Sequence, residues 1–231
     1  MESDHQCSGN ITRTDPARTR KPNNNNRFTS TIWIRNRPTS NREMDKEPRM
    51  IIVYLIGVAG VGKTTTVQQL IKDWKFRCQI DKPFAHSHYN STHGKSIVLG
   101  KNKLPFAGTD TLSWTAINHW ETFLNTCLTH NIKLIIGEGD RFSTTKCFET
   151  AQQYGQLLTY HLEAPDRTTL ERRQQRATQY KKPLQNESWV AGRKTKTNNL
   201  AQKFNCRSLN ADLPTETIVE TIYQDINNAN Q

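Results

Sequence analysis

A chain of 231 residues is long enough for one folded domain, and its 34% apolar content includes no run near the roughly 20 residues that a membrane-spanning helix needs. Lysine and arginine outnumber aspartate and glutamate by 32 to 21, a formal charge of +11. This charge is typical of proteins with polyanionic partners such as nucleotides or nucleic acid, although a solvated basic face explains it equally well.

The chain begins with a polar, basic and asparagine-rich tract, residues 1–48. Its few apolar side chains cannot bury enough surface to offset the entropy lost on ordering it. We expect this tract to be disordered, or to be encoded upstream of a true start codon at Met50. Residues 49–231 are then predicted to form the folded domain. The five cysteines are scattered without a CxxC pair, which is typical of a reducing compartment. We therefore expect a cytoplasmic protein, in the host cytoplasm if it is viral.

From residue 50 onward, short apolar runs alternate with amphipathic helical segments, whereas the polar, histidine-rich stretch 81–95 is predicted to be a loop. The alternation indicates an α/β fold of three layers, with a mainly parallel five-stranded sheet between helices. Strands are predicted over residues 50–56, 96–99, 132–136, 157–162 and 207–210. Helices are predicted over residues 64–75, 111–130, 144–154 and 186–203, from residue 165, and from residue 214.

The stretch GVAGVGKTT at residues 57–65 matches the phosphate-loop pattern GxxxxGK[ST] between a predicted strand and a predicted helix. Glycines let the backbone approach a phosphate, which the helix N-terminus attracts. Lys63 is expected to reach the β- and γ-phosphates, and Thr64 to ligate Mg²⁺. The residues assigned to the nucleotide are Gly57, Gly60, Gly62, Lys63, Thr64 and Thr65.

A second candidate segment, GEGDRF at residues 137–142, follows the predicted strand 132–136. Carboxylates at the carboxyl end of a strand beside the phosphate loop commonly bind Mg²⁺ and position the reacting phosphate. Glu138 is expected to hold Mg²⁺, directly or through water, and Arg141 to contact an anion of the acceptor. A charged turn exposed to solvent is the alternative. The Asp-Arg-aromatic order resembles that of thymidylate kinases.

Asp110 stands just before the predicted helix 111–130, and two interpretations of it remain open. Its side chain caps that helix, or it accepts the proton of an attacking hydroxyl group. The aromatic residues on either side of it, Phe106 and Trp114, would stack on a base or belong to the core.

Two basic clusters follow along the chain. Arginines on the helix from residue 165 would fold over the triphosphate as a lid, unless they form a solvated face: Arg172, Arg173 and Arg176. A cluster on helix 186–203 suits a polyanionic acceptor: Arg193, Lys194 and Lys196. His86, His88 and His93 have no cysteine or carboxylate spaced with them as a metal ligand, so we assign them to the polar loop.

Six segments in this order resemble the phage P-loop kinases that act on 5-hydroxymethyluracil in DNA: GVAGVGKTT, VLGK, FAGTDTLSW, IIGEGDRF, ERRQQR and WVAGRKTKTNNLA. The resemblance covers about residues 50–205. It implies a P-loop kinase fold with an arginine-rich lid, ATP and Mg²⁺ as cofactors, and transfer of phosphate to the hydroxymethyl group as an activating step for base hypermodification.

The resemblance also implies roles for residues. Asp110 would be the base or hydroxyl orienter, and Glu138, Asp140 and Arg141 would form the acidic and acceptor site. Modified DNA would be the partner, contacted by Arg193, Lys194 and Lys196. A kinase of free nucleoside monophosphates or of another small molecule is the main alternative, and a P-loop NTPase that transfers nothing is the weaker one. The sequence leaves the oligomeric state open.

Overall fold

The computed structural model describes residues 50–101 and 108–231, in which seven strands form one sheet. The strands are β1 (Ile51–Ile56), β2 (Lys75–Ile80), β3 (His86–Ser91), β4 (Gly94–Leu99), β5 (Leu134–Glu138), β6 (Gln156–Glu163) and β7 (Arg207–Asn210). The helices are α1 (Lys63–Leu70), α2 (Trp120–Thr129), α3 (Thr145–Tyr154), α4 (Asp166–Gln179), α5 (Glu187–Lys203) and α6 (Thr215–Ala229). Two 3₁₀ turns, Thr109–Thr111 and Trp114–His119, precede α2.

The five predicted strands form the parallel part of the sheet, in the order β4-β5-β1-β6-β7. The prediction of a three-layer α/β fold is therefore confirmed, but the predicted strand count was too low. The sheet continues beyond β4 into β3 and then β2, each pairing antiparallel with its neighbour. The prediction of a loop at residues 81–95 was wrong, because this segment contains β3 and the start of β4.

The central strand β1 is buried along its whole length and is covered on both faces. Ile52, Tyr54 and Ile56 pack in a core with side chains of α2 and α3. Ile51, Val53 and Leu55, which point to the other face, pack in a second core with side chains of α1 and α6. Because parallel strands present their carboxyl ends at one edge, the segments that follow β1 and β5 meet there.

Three sequence-based predictions concern residues outside the described ranges: the tail 1–48, Phe106 and Cys7. Of the other cysteines, Cys127 and Cys147 are buried as expected, but Cys78 is exposed. No helix within residues 50–101 and 108–231 combines the length and the apolar character needed to cross a membrane.

Candidate active site

A cavity of about 760 Å³ opens at the carboxyl edge of the parallel strands. The loop between β1 and α1 forms one wall, and the segments after β5 form another. Helices α4 and α5 and the segment after β7 complete it. Its volume is within the roughly 300–1,000 Å³ range of small-molecule sites. Most of the residues assigned to the site from sequence line this one cavity.

The phosphate loop turns back on itself at glycines with positive φ, and α1 begins directly after it at Lys63. At Gly60, φ is +83°, and an added Cβ would lie 2.7 Å from the carbonyl oxygen of Thr169. A larger residue would therefore displace the loop from α4. The loop and the start of α1 line the cavity, including Thr65, whose side chain is exposed.

The Lys63 ammonium group folds back over the loop that precedes it. Its Nζ donates hydrogen bonds to the carbonyl oxygens of Gly57 at 2.8 Å and Val58 at 3.0 Å. Burial lowers the pKa of Lys63, and the nearby carboxylates of Glu138 and Asp110 oppose that shift. The amine is thus held in the loop where a phosphate would bring the compensating negative charge.

Two oxygen-bearing side chains meet beside Lys63. The Thr64 hydroxyl donates a 2.8 Å hydrogen bond to Oε1 of Glu138, which is only 4% exposed. Burial raises the pKa of Glu138 to about 7, although Lys63 and the Thr64 hydrogen bond act against this. A buried carboxylate and a hydroxyl oxygen next to a phosphate loop are a donor set that fits Mg²⁺, which prefers oxygen ligands.

Asp110 lies in the cavity wall but does not cap α2. The helix predicted at 111–130 is replaced by the two 3₁₀ turns and α2, and Ser113 accepts the capping hydrogen bond of the second turn from the Thr115 backbone N–H. The helix-cap interpretation of Asp110 was therefore wrong. Instead, Oδ1 of Asp110 accepts a 2.6 Å hydrogen bond from the backbone N–H of Asp140.

A buried hydrogen-bond network that the sequence analysis missed fixes this turn. The Tyr54 hydroxyl lies 3.0 Å from Oγ1 of Thr109 and donates to the carbonyl oxygen of Gly139 at 3.1 Å. Thr109 in turn donates to the carbonyl oxygen of Glu138 at 2.9 Å. A tyrosine in an otherwise aliphatic central strand was the available signal, because a buried phenol hydroxyl needs a partner.

Asp140 joins the turn after β5 to helix α5. Its carboxylate pairs with the Arg193 guanidinium and, at 2.6 Å, with Nζ of Lys196. Lys194 points elsewhere, since its Nζ lies 2.7 Å from Oδ1 of Asp166 on α4. The three basic residues predicted to contact DNA therefore do not lie together. Arg193 lines the cavity and Lys196 lies beside it, while Lys194 belongs to a separate ion pair.

Two tryptophans line the cavity, each beside an arginine. Cζ of Arg141 lies 3.7 Å from the ring centroid of Trp114, and Cζ of Arg193 lies 5.2 Å from that of Trp189. Trp114 is 60% exposed, so its interpretation as a core residue was wrong. Trp189 was not predicted as a site residue, and an isolated tryptophan in a basic helix was the available signal.

Only two of the three arginines of the predicted lid face the cavity. Arg172 and Arg176 line the cavity. Arg172 donates at 3.2 Å to the carbonyl oxygens of both Val61 and Ala211, which bridges the phosphate loop and the segment after β7. Arg173 does not line the cavity: it is 7% exposed and its Cγ packs against Gly60, contrary to its predicted place in the lid.

The arrangement places an anion-binding loop, a buried carboxylate with a hydroxyl, and an exposed carboxylate around one space with cationic and aromatic walls. Such a site can bind a polyphosphate at the loop, hold a divalent cation at Thr64 and Glu138, and present a second molecule to Asp110 from the tryptophan side. This is the set of groups that transfer of a phosphoryl group to a bound acceptor requires.

The family model described as P-loop Nucleotide Kinase3 matches residues 48–218, well over half of the chain. No curated protein matches. Similar solved structures include a gluconokinase from Sinorhizobium meliloti 1021, with 12% identity and a TM-score of 0.44 over 79% of this chain and 94% of that one.

Two further solved structures are similar at the same level. One is deoxyadenosine kinase from M. mycoides, with 12% identity and a TM-score of 0.40 over 77% of this chain and 99% of that one. The other is shikimate kinase from Acinetobacter baumannii, with 17% identity and a TM-score of 0.41 over 78% and 94%. Likenesses of this degree carry no information about the acceptor.

Proposed function

Because the chain belongs to the P-loop Nucleotide Kinase3 family, and is therefore a phosphotransferase, we propose that it transfers the γ-phosphoryl group of ATP to the hydroxymethyl group of 5-hydroxymethyluracil in DNA. The main observation in support of this acceptor is the exposed Trp114 ring, which stacks with Arg141 in the cavity of the phosphate loop. Enzymes that act on a base within DNA bind the base outside the helix, where it stacks on aromatic side chains.

ATP is the proposed donor, with its phosphates on the loop from Gly57 to Thr65. Lys63 would exchange its two carbonyl contacts for the β- and γ-phosphates, and the N-terminus of α1 would add its dipole. Arg172 and Arg176 face the same space and would neutralise the charge that spreads over the γ-phosphoryl oxygens.

Mg²⁺ is the proposed metal cofactor, and its ligands would be Thr64 and Glu138. When bound, it would neutralise charge on the β- and γ-phosphates. The two side chains are already in contact at 2.8 Å, so this chain holds both oxygens ready beside the loop.

Asp110 is the proposed catalytic base. The hydroxymethyl oxygen would attack the γ-phosphorus, the bond from that phosphorus to the β–γ bridging oxygen would break, and ADP would leave. The hydroxyl proton would pass to Asp110. The hydrogen bond from the Asp140 backbone N–H uses Oδ1 of Asp110, which leaves Oδ2 for the acceptor.

Contacts to the DNA backbone are proposed for Arg193 and Lys196, which lie on the acceptor side of the cavity with Trp189. Phosphate contacts position a nucleic acid without reading its sequence, whereas the base is recognised in the pocket. Lys194, predicted as a third contact, would have to leave Asp166 to reach the same backbone.

A kinase of free nucleoside monophosphates is the second candidate, and Arg141 is the observation that favours it. Its Nε donates to the carbonyl oxygen of Leu112 at 2.7 Å, while its terminal nitrogens have no hydrogen bond in the described part of the chain. A guanidinium whose terminal nitrogens bond to none of the described residues, beside an aromatic ring, also suits the phosphate and base of a free nucleotide.

The two candidates are separated by offering ATP labelled in the γ-phosphate to four acceptors. These are a duplex with one 5-hydroxymethyluracil, the same duplex with thymine, free thymidine monophosphate and free 5-hydroxymethyl-deoxyuridine monophosphate. We expect label only in the duplex that contains 5-hydroxymethyluracil. Label in a free monophosphate and not in DNA would select the second candidate, and equal label in the thymine duplex would contradict both.

A matched pair of lysine variants tests the donor side of the same assay. Lys63→Ala should reduce transfer about 10²-fold or more, because it removes a cation from the transferred phosphate. Lys72→Ala, an exposed lysine just after α1, should transfer at the normal rate. Full activity in Lys63→Ala would contradict the assignment of the phosphate loop.

A further inference from the structure

A second cavity, of about 590 Å³, lies between strands β2–β4 and helix α2. It shares no lining residue with the phosphate-loop cavity. It lies where the antiparallel strands extend the sheet beyond its parallel part. Its volume is that of a site for a small organic molecule.

Side chains of a strand point alternately to its two faces, and those on one face of β3 line this cavity. His86, His88 and Asn90, which alternate along β3, line it together with Tyr89. In the antiparallel register, His88 stands opposite Ile97 of β4 and Asn90 stands opposite Lys95, and both partners line the cavity as well. Helix α2 closes the other side, and residues of the connecting segments complete the lining, namely Lys82, Pro83 and Ile132.

The floor of this cavity is apolar and partly aromatic. Ile97, Phe123, Cys127 and Ile132 are all buried and line it. The Phe123 ring centroid lies 5.0 Å from that of His86, edge to face. Such a floor suits a flat apolar body, which gains by leaving water and by contact with rings.

The charged residues of the lining are all cationic. Arg77, Lys82 and Lys95 line the cavity, and no aspartate or glutamate is among its described lining residues. Nζ of Lys95 reaches across to the carbonyl oxygen of His130 at 3.4 Å, which places one cation between the strands and the end of α2. Asp81 is near His86 but outside the lining. The charge is therefore complementary to an anion.

His88 supplies a polar atom that the described part of the protein does not satisfy. Its Nε2 is buried and has no hydrogen-bond partner there. Burial, followed by the neighbouring His86 and His130, lowers the pKa of His88, which disfavours its charged form. Buried polar atoms are normally hydrogen-bonded, and a bound ligand would provide the missing partner. Among the described residues, no group of metal-binding side chains suits an ion here.

We propose that this cavity binds a small aromatic organic anion, with its ring over Phe123 and its anionic group toward Lys95 and Arg77, and with His88 as a hydrogen-bonding partner. The site is separate from the one that binds the phosphoryl donor and acceptor. The proposal does not depend on which acceptor the kinase uses.

The test is a calorimetric titration of the full chain with 8-anilinonaphthalene-1-sulfonate, an aromatic sulfonate, in the presence of saturating ATP. We expect one bound molecule, with a dissociation constant that ATP leaves unchanged. Displacement of the probe by ATP would place it in the phosphate-loop cavity and overturn the proposal.

Two variants locate the bound probe. Thr126→Trp should fill the cavity from an exposed position on α2, and Lys95→Glu should reverse the charge at its mouth; each should weaken binding about tenfold or more. Leu128→Trp is the matched control, since Leu128 is exposed on the same helix but does not line the cavity. Unchanged affinity in both folded test variants, or equal weakening in the control, would overturn the proposal.

Discussion

At Asp110 the structure separates a positioning contact of the carboxylate from its proposed role in proton transfer. One oxygen accepts the Asp140 backbone N–H and thereby positions the turn after β5. The second oxygen is the one available to the cavity that Asp110 lines. An asparagine has the same shape and can still accept the backbone hydrogen bond, but it is a far weaker base. The positioning and proton-accepting roles can therefore be measured independently.

Asp110→Asn should lower kcat by about 10²- to 10⁴-fold, the usual contribution of a general base, with little change in the KM for ATP. Its thermal midpoint should stay close to that of the unaltered protein. Asp110→Ala should lose both activity and some stability, because the Asp140 N–H loses its partner. Steady-state kinetics and thermal melts of the two variants check this, and normal kcat in Asp110→Asn would remove Asp110 from the chemistry.

Neighbouring arginines on α4 show what sequence periodicity could have predicted at this scale. Residues four apart share a helix face, as Arg172 and Arg176 do, whereas Arg173 is turned about 100° away. Arg173 is, however, only three positions from Arg176, so the spacing left open whether Arg172 or Arg173 shares the lid face with it. Which face meets the phosphate loop depended on the tertiary packing of α4 and could not be read from the sequence.

Among the elements, the helices with clear start signals were predicted well. Helix α5 begins where Asn186 caps it by accepting the Ser188 backbone N–H, and its predicted and observed bounds differ by one residue at the start. Strands β2 and β3 were missed for two reasons. β2 is exposed along its whole length, and β3 presents histidines where apolar residues would normally indicate a strand. Their pairing with β4 is a long-range contact that no local pattern reveals.

Helix α5 provides a matched set of cations for testing DNA binding. Replacing both Arg193 and Lys196 by glutamine should weaken binding of DNA containing 5-hydroxymethyluracil, because two phosphate-neutralising charges are lost, and should leave ATP affinity unchanged. Lys203→Gln, on the same helix but paired with Glu149, should have little effect. Fluorescence anisotropy measures the DNA affinities. Equal losses in the double variant and the control would show that only overall charge matters.

On the scale of the whole molecule, the fold class and the phosphate loop followed from the sequence, while the composition of the cavity did not. The loop motif is contiguous, so its residues are neighbours in any fold that contains it. The contacts of Asp140 with Asp110 on one side and α5 on the other join segments 30 and 56 positions apart. Only the packed sheet brings such segments together.

The domain boundary remains a prediction at this scale. Among the described residues the core begins at Met50, which is 1% exposed, and the family match begins at residue 48. A protein starting at Met44 should therefore keep the kinase activity, with a thermal midpoint within about 2 °C of the full chain, since a shift of that size corresponds to less than about 1 kcal/mol. A larger drop in the midpoint would show that residues 1–43 contribute to the folded domain.

The ion pairs of Asp140 give this wall of the cavity an internal counterion. If DNA binds as proposed, a phosphate at Arg193 or Lys196 would displace a carboxylate of the protein itself instead of salt ions from solution. Asp140 lines the same cavity as Glu138 and Asp110, so release of its carboxylate would also add an unpaired negative charge to the acceptor end of the cavity. Binding at this wall should thus depend less on salt than a count of its phosphate contacts would suggest.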